Sequence, residues 1–136
     1  METQILKDDI KIFGFPVKTF PKGIGESFDS LVALMPEGTN RSYYGISSMT
    51  PEGKMIYIAG VEEMNDGEAE KFGFERYIIS KGKYFSVKIT DWKVRIELIK
   101  ESFHSMMEVK GVDHMSPCVE WYKNDREMYC MVKAIS

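Results

Sequence analysis

Phe28, Leu31, Val32 and Met35 recur at the spacing of one helical face, and Pro36 and Gly38 close the run, which predicts a short amphipathic helix. Ahead of it, residues 10–20 (IKIFGFPVKTF) are rich in β-branched and aromatic side chains and read as a strand, with Pro16 marking an edge or a bulge. Behind it, Tyr43–Met49 and residues 54–64 flank Thr50-Pro51-Glu52-Gly53, whose proline and glycine suit a β-turn, so these two runs form a hairpin. Residues 83–90 alternate Phe85, Val87 and Ile89 against Tyr84, Ser86 and Lys88, the two-residue period of a half-buried strand. Asp91 then stands where a helix cap belongs, before a stripe of Trp92, Ile96, Ile99, Phe103 and Met106 or Met107, and Gly111 follows as its C-terminal stop. Residues 117–123 and 127–135 form a last hairpin about Asn124-Asp125-Arg126.

Strand, helix and hairpin thus occur twice, in units of about 1–64 and 76–136, joined by the acidic, aperiodic stretch 65–75 (NDGEAEKFGFE). The pattern predicts a single α+β domain over residues 1–136, built as two β-α-β-β units by internal duplication. Two such halves side by side leave a cleft at their join, a common place for a ligand.

Composition narrows the functions open to such a domain. At 136 residues the chain can bury a core without disulfides or metals. Its net charge of -3 is modest, and the lysines and arginines are scattered, so the electrostatic footprint of a nucleic-acid binder is missing. No apolar run approaches the roughly 18–20 residues of a membrane span, and the start METQILKDDI is unlike a signal peptide, so a cytoplasmic protein is expected. Cys118 and Cys130 are expected as free thiols in that compartment.

Glu120 is the candidate for chemistry. It interrupts the apolar strand Cys118-Val119-Glu120-Trp121-Tyr122, on one face with Cys118 and Tyr122. A hairpin symmetric about Asp125 puts Cys130 opposite it, an apolar neighbour that raises a carboxyl pKa. Such an acid needs compensation from a cationic ligand or a proton, from an internal partner such as Arg95 or Lys133, or from water on an exposed edge. Tyr44, Tyr84, Trp92, Phe103 and Tyr122 are candidates to line a ligand groove, since aromatic faces attract cations and flat rings; Trp92 and Phe103 equally suit the core side of their helix. Glu101, His104 and Glu108 fall on the opposite, solvated side of that helix, and no metal site is expected there. Without a Gly-rich phosphate loop, a catalytic triad order or a paired-cysteine motif, no cofactor is expected.

Four short segments also carry a resemblance: Tyr44-Gly45-Ile46, Ile58-Ala59-Gly60-Val61-Glu62, Gly82-Lys83-Tyr84 and Pro117-Cys118-Val119-Glu120-Trp121-Tyr122. In order and spacing the chain resembles the GyrI-like family of bacterial effector-binding domains. That family includes the ligand domains of AraC-type and MerR-type multidrug-responsive transcription regulators as well as stand-alone proteins. The resemblance implies an SHS2-like duplicated fold, a curved antiparallel sheet with two helices on one side. It also implies a groove for bulky, flat, cationic or amphipathic molecules, whose charge meets a strand glutamate at the position of Glu120. These 136 residues are not expected to have room for a DNA-binding helix-turn-helix as well, so a small-molecule ligand rather than nucleic acid is the expected partner. The expected role is a multidrug-type sensor or sequestering protein. Two alternatives follow from the same resemblance: hydrolysis of cyclopropane-type alkylating natural products with Glu120 as general base assisted by Tyr122, and regulation by protein contact, as in gyrase modulators.

Overall fold

The computed structural model describes residues 1–19 and 22–135; Phe20, the end of the first strand-like run, lies outside them. The elements are β1 (Glu2–Leu6), β2 (Ile10–Pro16), α1 (Ile24–Leu34), β3 (Tyr43–Met49), β4 (Met55–Glu62), α2 (Glu68–Phe72), β5 (Glu75–Ile79), β6 (Gly82–Thr90), α3 (Ile96–Met106), β7 (Cys118–Tyr122) and β8 (Glu127–Lys133). All eight strands form one antiparallel sheet in the order β1-β6-β8-β7-β3-β4-β2-β5. The order is symmetric about the β7–β3 seam: β6-β8-β7 on one side mirrors β2-β4-β3 on the other, each unit with its helix after its first strand.

The outer strands exchange between units. β1 leads into β2 through residues 7–9 but pairs with β6, and β5 leads into β6 through residues 80–81 but pairs with β2. Such short links join opposite edges of the sheet only if it curls, so it forms a half-barrel. Curling explains the burial pattern. Ile12, Tyr44, Ile58, Tyr84, Val119 and Met131 are buried on the face that carries neither long helix, because that face is the inside of the curl. The other face carries α1 over Phe13, Tyr57, Ala59 and Val61, and α3 over Ile89, Met128, Cys130 and Val132. No helix among the described residues is long and apolar enough to cross a membrane.

Several expectations are corrected. β1 escapes the sequence pattern because ETQIL is short and mostly polar, as suits an edge. Asp91 does not cap a helix: it has φ 56°, makes no side-chain cap bond, and its carboxylate accepts from Arg126 Nε at 3.0 Å. A 3-10 turn over Trp92–Val94 follows, so α3 starts only at Ile96, which becomes its exposed first residue. Ile96 is therefore 61% exposed, while Leu98, Ile99, Phe103 and Met106 face the core. Gly111 has positive φ but sits beyond the helix end, where Met107 is the C-cap.

The connecting stretch is not unstructured. Within it Glu68 opens α2 and binds the guanidinium of Arg41, whose side chain is fully buried, through two hydrogen bonds of 2.9 and 3.0 Å. Arg41 also donates to Glu62 O and Glu37, and Gly73 ends the helix in the left-handed conformation (φ 75°).

Candidate functional site

Glu120 lies at the seam of the two units. It pairs with Cys130 on one side, as symmetry about Asp125 predicts, and with Gly45 on the other, the middle one of the register pairs joining β7 to β3. A row of residues Val87, Cys130, Glu120, Gly45, Ala59 and Phe15 crosses the helix-bearing face, with the carboxylate as its single charged group.

The glycine opposite Glu120 makes the arrangement possible. A Cβ on Gly45 would lie 2.0 Å from the Tyr57 phenol oxygen and 2.7 Å from Glu120 Oε1, so only glycine lets these groups meet. Through that gap Tyr57, on β4, donates to Oε1 at 2.5 Å, and Tyr122 donates to the same oxygen at 2.8 Å. Both phenols are thus directed at Oε1. Among the described residues no ion pair reaches Glu120; of the cationic partners considered, Lys133 donates to Ser80 Oγ and Arg95 is exposed.

Burial pushes the Glu120 pKa up, and the two phenol hydrogen bonds oppose that shift without cancelling it. Burial, then the charge of Glu120, raises Tyr57 and Tyr122, so both stay protonated donors. The same two causes raise Cys118 to about 11 and Cys130 to about 12, so both free cysteines are neutral thiols.

Aromatic rings from both units surround this carboxyl group. Phe28 of α1 meets Tyr122 at 5.3 Å between centroids and Tyr57 at 6.4 Å, both edge to face. Trp92, from the turn before α3, meets Tyr122 from the other side at 4.8 Å, its ring fixed by a 3.0 Å hydrogen bond to Asn124 O. Glu120 and Tyr122 retain partial exposure, so the carboxyl group sits beneath a packed layer of aromatic rings rather than in the solvent.

Of the residues proposed from sequence, Glu120, Tyr122 and Trp92 come together here. Phe103 packs in the core beneath α3. Tyr44 and Tyr84 lie on the other face of the sheet, inside the curl, where Tyr44 donates to Glu62 and Tyr84 to Ser80 O; alternation along β3 and β6 turns them away from Glu120. Glu101, His104 and Glu108 are exposed on α3 and beyond it. Sequence reasoning missed Tyr57 and Phe28. A glycine inside the apolar strand 43–49 was the available signal that a neighbouring group closes in at Gly45.

No protein-family model and no curated protein matches the chain. Solved structures do. An integron cassette protein from the mobile metagenome of Vibrio cholerae superposes with a TM-score of 0.72 at 15% identity, over 98% of this chain and 94% of its own. The protein SAV2435, solved bound to tetraphenylphosphonium, gives a TM-score of 0.64 at 16% identity, with coverage of 98% and 94%. A candidate transcription regulation protein of Staphylococcus aureus gives 0.61 at 15% identity, with coverage of 98% and 99%. At such identities the likeness is one of fold: a curled eight-stranded antiparallel sheet with helices packed on it.

Proposed function

We propose that this chain is a GyrI-like binding domain for small aromatic cations, which enter between α1 and α3 and place their charge against Glu120. The observation that carries this reading is a desolvated carboxyl group that has two phenol donors and no cation among the described residues. A buried carboxylate is costly without a positive partner, and a cation that brings its own apolar shell supplies the charge without water. Phe28, Tyr122 and Trp92 supply ring faces for that shell. The tetraphenylphosphonium complex of SAV2435, on the same fold, supports this choice of ligand class. Binding of this kind suits a sensor or a sequestering protein.

Phe28 and Trp92 both pack on Tyr122, so a bulky guest must displace one or both from that ring. Trp92 precedes α3 in a short 3-10 turn flanked by the exposed Val94 and Ile96, and its displacement would break its hydrogen bond to Asn124 O.

The raised carboxyl pKa also suits a general base, as hydrolysis would require. Both phenols, however, donate to that same carboxyl group and neither is free to protonate a leaving group, which favours binding over catalysis.

Titration with tetraphenylphosphonium and with neutral triphenylphosphine oxide, followed by tryptophan fluorescence, tests the proposal. The wild type is expected to prefer the cation, and Glu120→Gln to weaken cation binding by about 30-fold, on the order of 2 kcal/mol, with little effect on the neutral compound. Equal affinities of both proteins for the cation would remove Glu120 from the account.

A further inference from the structure

Access to Glu120 requires Phe28 or Trp92 to leave Tyr122, and the two rings are held differently. Phe28 lies within α1 and packs with the buried cluster of Phe13, Leu31, Tyr57 and Val61, so moving it disturbs the core. Trp92, which only borders the core beneath α3, is fixed by the turn between β7 and β8. Its indole Nε1 donates to Asn124 O, Arg126 Nε donates to Asp91 Oδ1, and Lys93 Nζ donates to Asp125 Oδ1, each at 3.0 Å. Asp91 N also donates to Arg126 O at 2.6 Å, and Lys93 Nζ lies 5.7 Å from the Trp92 ring centroid. Three consecutive residues are thus tied to three others. The receiving turn is a firm anchor, since Asn124 Oδ1 accepts from the N–H groups of Arg126 and Glu127 at 2.9 and 2.8 Å. Asp91 adds a bias towards release. Among the described residues it is the one non-glycine with positive φ (56°), a left-handed conformation that is costly for a residue with a β-carbon. Freed from Arg126, it can return to an ordinary conformation and carry Trp92 off Tyr122.

We propose that residues 91–95 are the gate of the Glu120 site, and that their ties to Asn124-Asp125-Arg126 form an ionic latch that sets how often the gate opens. The inference rests on the reading of Glu120 as the ligand anchor. The ion pairs suit a reversible latch. The side chains of Lys93, Asp125 and Arg126 are 58%, 55% and 73% exposed, and pairs in such positions are weak and screened by salt. A ligand that binds the open form has an apparent Kd equal to the intrinsic one divided by the open fraction. Releasing the latch therefore tightens binding and speeds association by the factor by which opening increases, while dissociation keeps its rate. Asp91, Lys93, Asp125 and Arg126 are positioning residues in this scheme: they act on the ligand only through Trp92.

Two double variants remove the same two ion pairs from opposite sides: Lys93→Gln with Arg126→Gln, and Asp91→Asn with Asp125→Asn. In the ligand-free chain, hydrogen exchange of the Trp92 indole N–H, read by NMR, should quicken about fivefold or more in both. The Trp121 indole, bound to Ser42 Oγ on the other face of the sheet, should not change and so controls for general loss of stability. Binding of tetraphenylphosphonium, followed by stopped-flow tryptophan fluorescence, should gain about the same factor in association rate and in affinity in both variants. The two variants shift net charge in opposite directions. A long-range charge effect would therefore make one bind tighter and the other weaker, which would overturn the latch, as would Trp92 exchange that neither variant alters. Quickened exchange with unchanged affinity, while Glu120→Gln still weakens cation binding, would overturn the gate alone. If none of these proteins bound the cation, the gate and the reading of Glu120 would fall together.

Discussion

Glu120, Gly45, Tyr57 and Tyr122 act as one unit, and each answers for a different part of its behaviour. Gly45→Ala places a methyl carbon where the Tyr57 phenol now sits, so it should break the phenol–carboxyl contact and destabilise the fold by about 1–3 kcal/mol, read from chemical denaturation. Tyr57→Phe removes one donor and should raise the Glu120 pKa further, measurable by carboxyl-carbon NMR. The raised folded-state pKa of Glu120 also fixes a sign. Between the ordinary carboxyl value near 4.5 and the higher folded value, the folded protein holds a proton that the unfolded chain has lost, so the contribution of Glu120 to stability falls as pH rises through that window. Glu120→Gln should remove that slope, leaving a ligand-free protein at least as stable as the wild type at neutral pH while cation binding weakens about 30-fold. The pairing of Glu120 with Cys130 was legible because a hairpin about Asp125 has only one register. Tyr57 was not, because its approach depends on the register of β3 against both β4 and β7, contacts that no local pattern encodes.

Short elements show where local signals gave way to tertiary ones. α2 has only five residues and no usable period, yet it is held by the Arg41–Glu68 pair and by Phe72 on Phe13. The Arg41 guanidinium, with N–H groups of Met64 and Asn65, holds the Glu68 carboxyl down at about 2. Its stabilising effect is therefore fully present above the ordinary carboxyl value and fades as pH falls from about 4.5 towards about 2. Glu68→Gln should cost about 3 kcal/mol by leaving the buried Arg41 with only the more exposed Glu37 as counter-charge, and should flatten the acid limb of a stability–pH curve. In α3 the apolar stripe correctly revealed a helix, but the 3-10 turn after Asp91 delays its start to Ile96, which lies exposed at the helix end while Leu98 packs on the core.

The duplicated order of strand, helix and hairpin revealed the two units and their seam, whereas the exchange of β1 and β5 was hidden because neither edge strand has a strong pattern of its own. That exchange makes the halves inseparable, since each sheet flank is completed by a strand leading into the other half. Heat unfolding is therefore expected as one transition, with tryptophan fluorescence from the second half coinciding with far-UV circular dichroism; two separated midpoints would contradict the interlocked fold. The seam that joins the halves also sets a single acid among rings contributed by both. The central claim is that this acid exchanges a proton for a cationic ligand. Calorimetric titration of tetraphenylphosphonium between about pH 5 and about pH 8, in buffers of different ionisation heat, tests it most directly. The account predicts affinity that rises with pH and protons released on binding, both absent in Glu120→Gln. Affinity and proton count indifferent to pH and to residue 120 would contradict it.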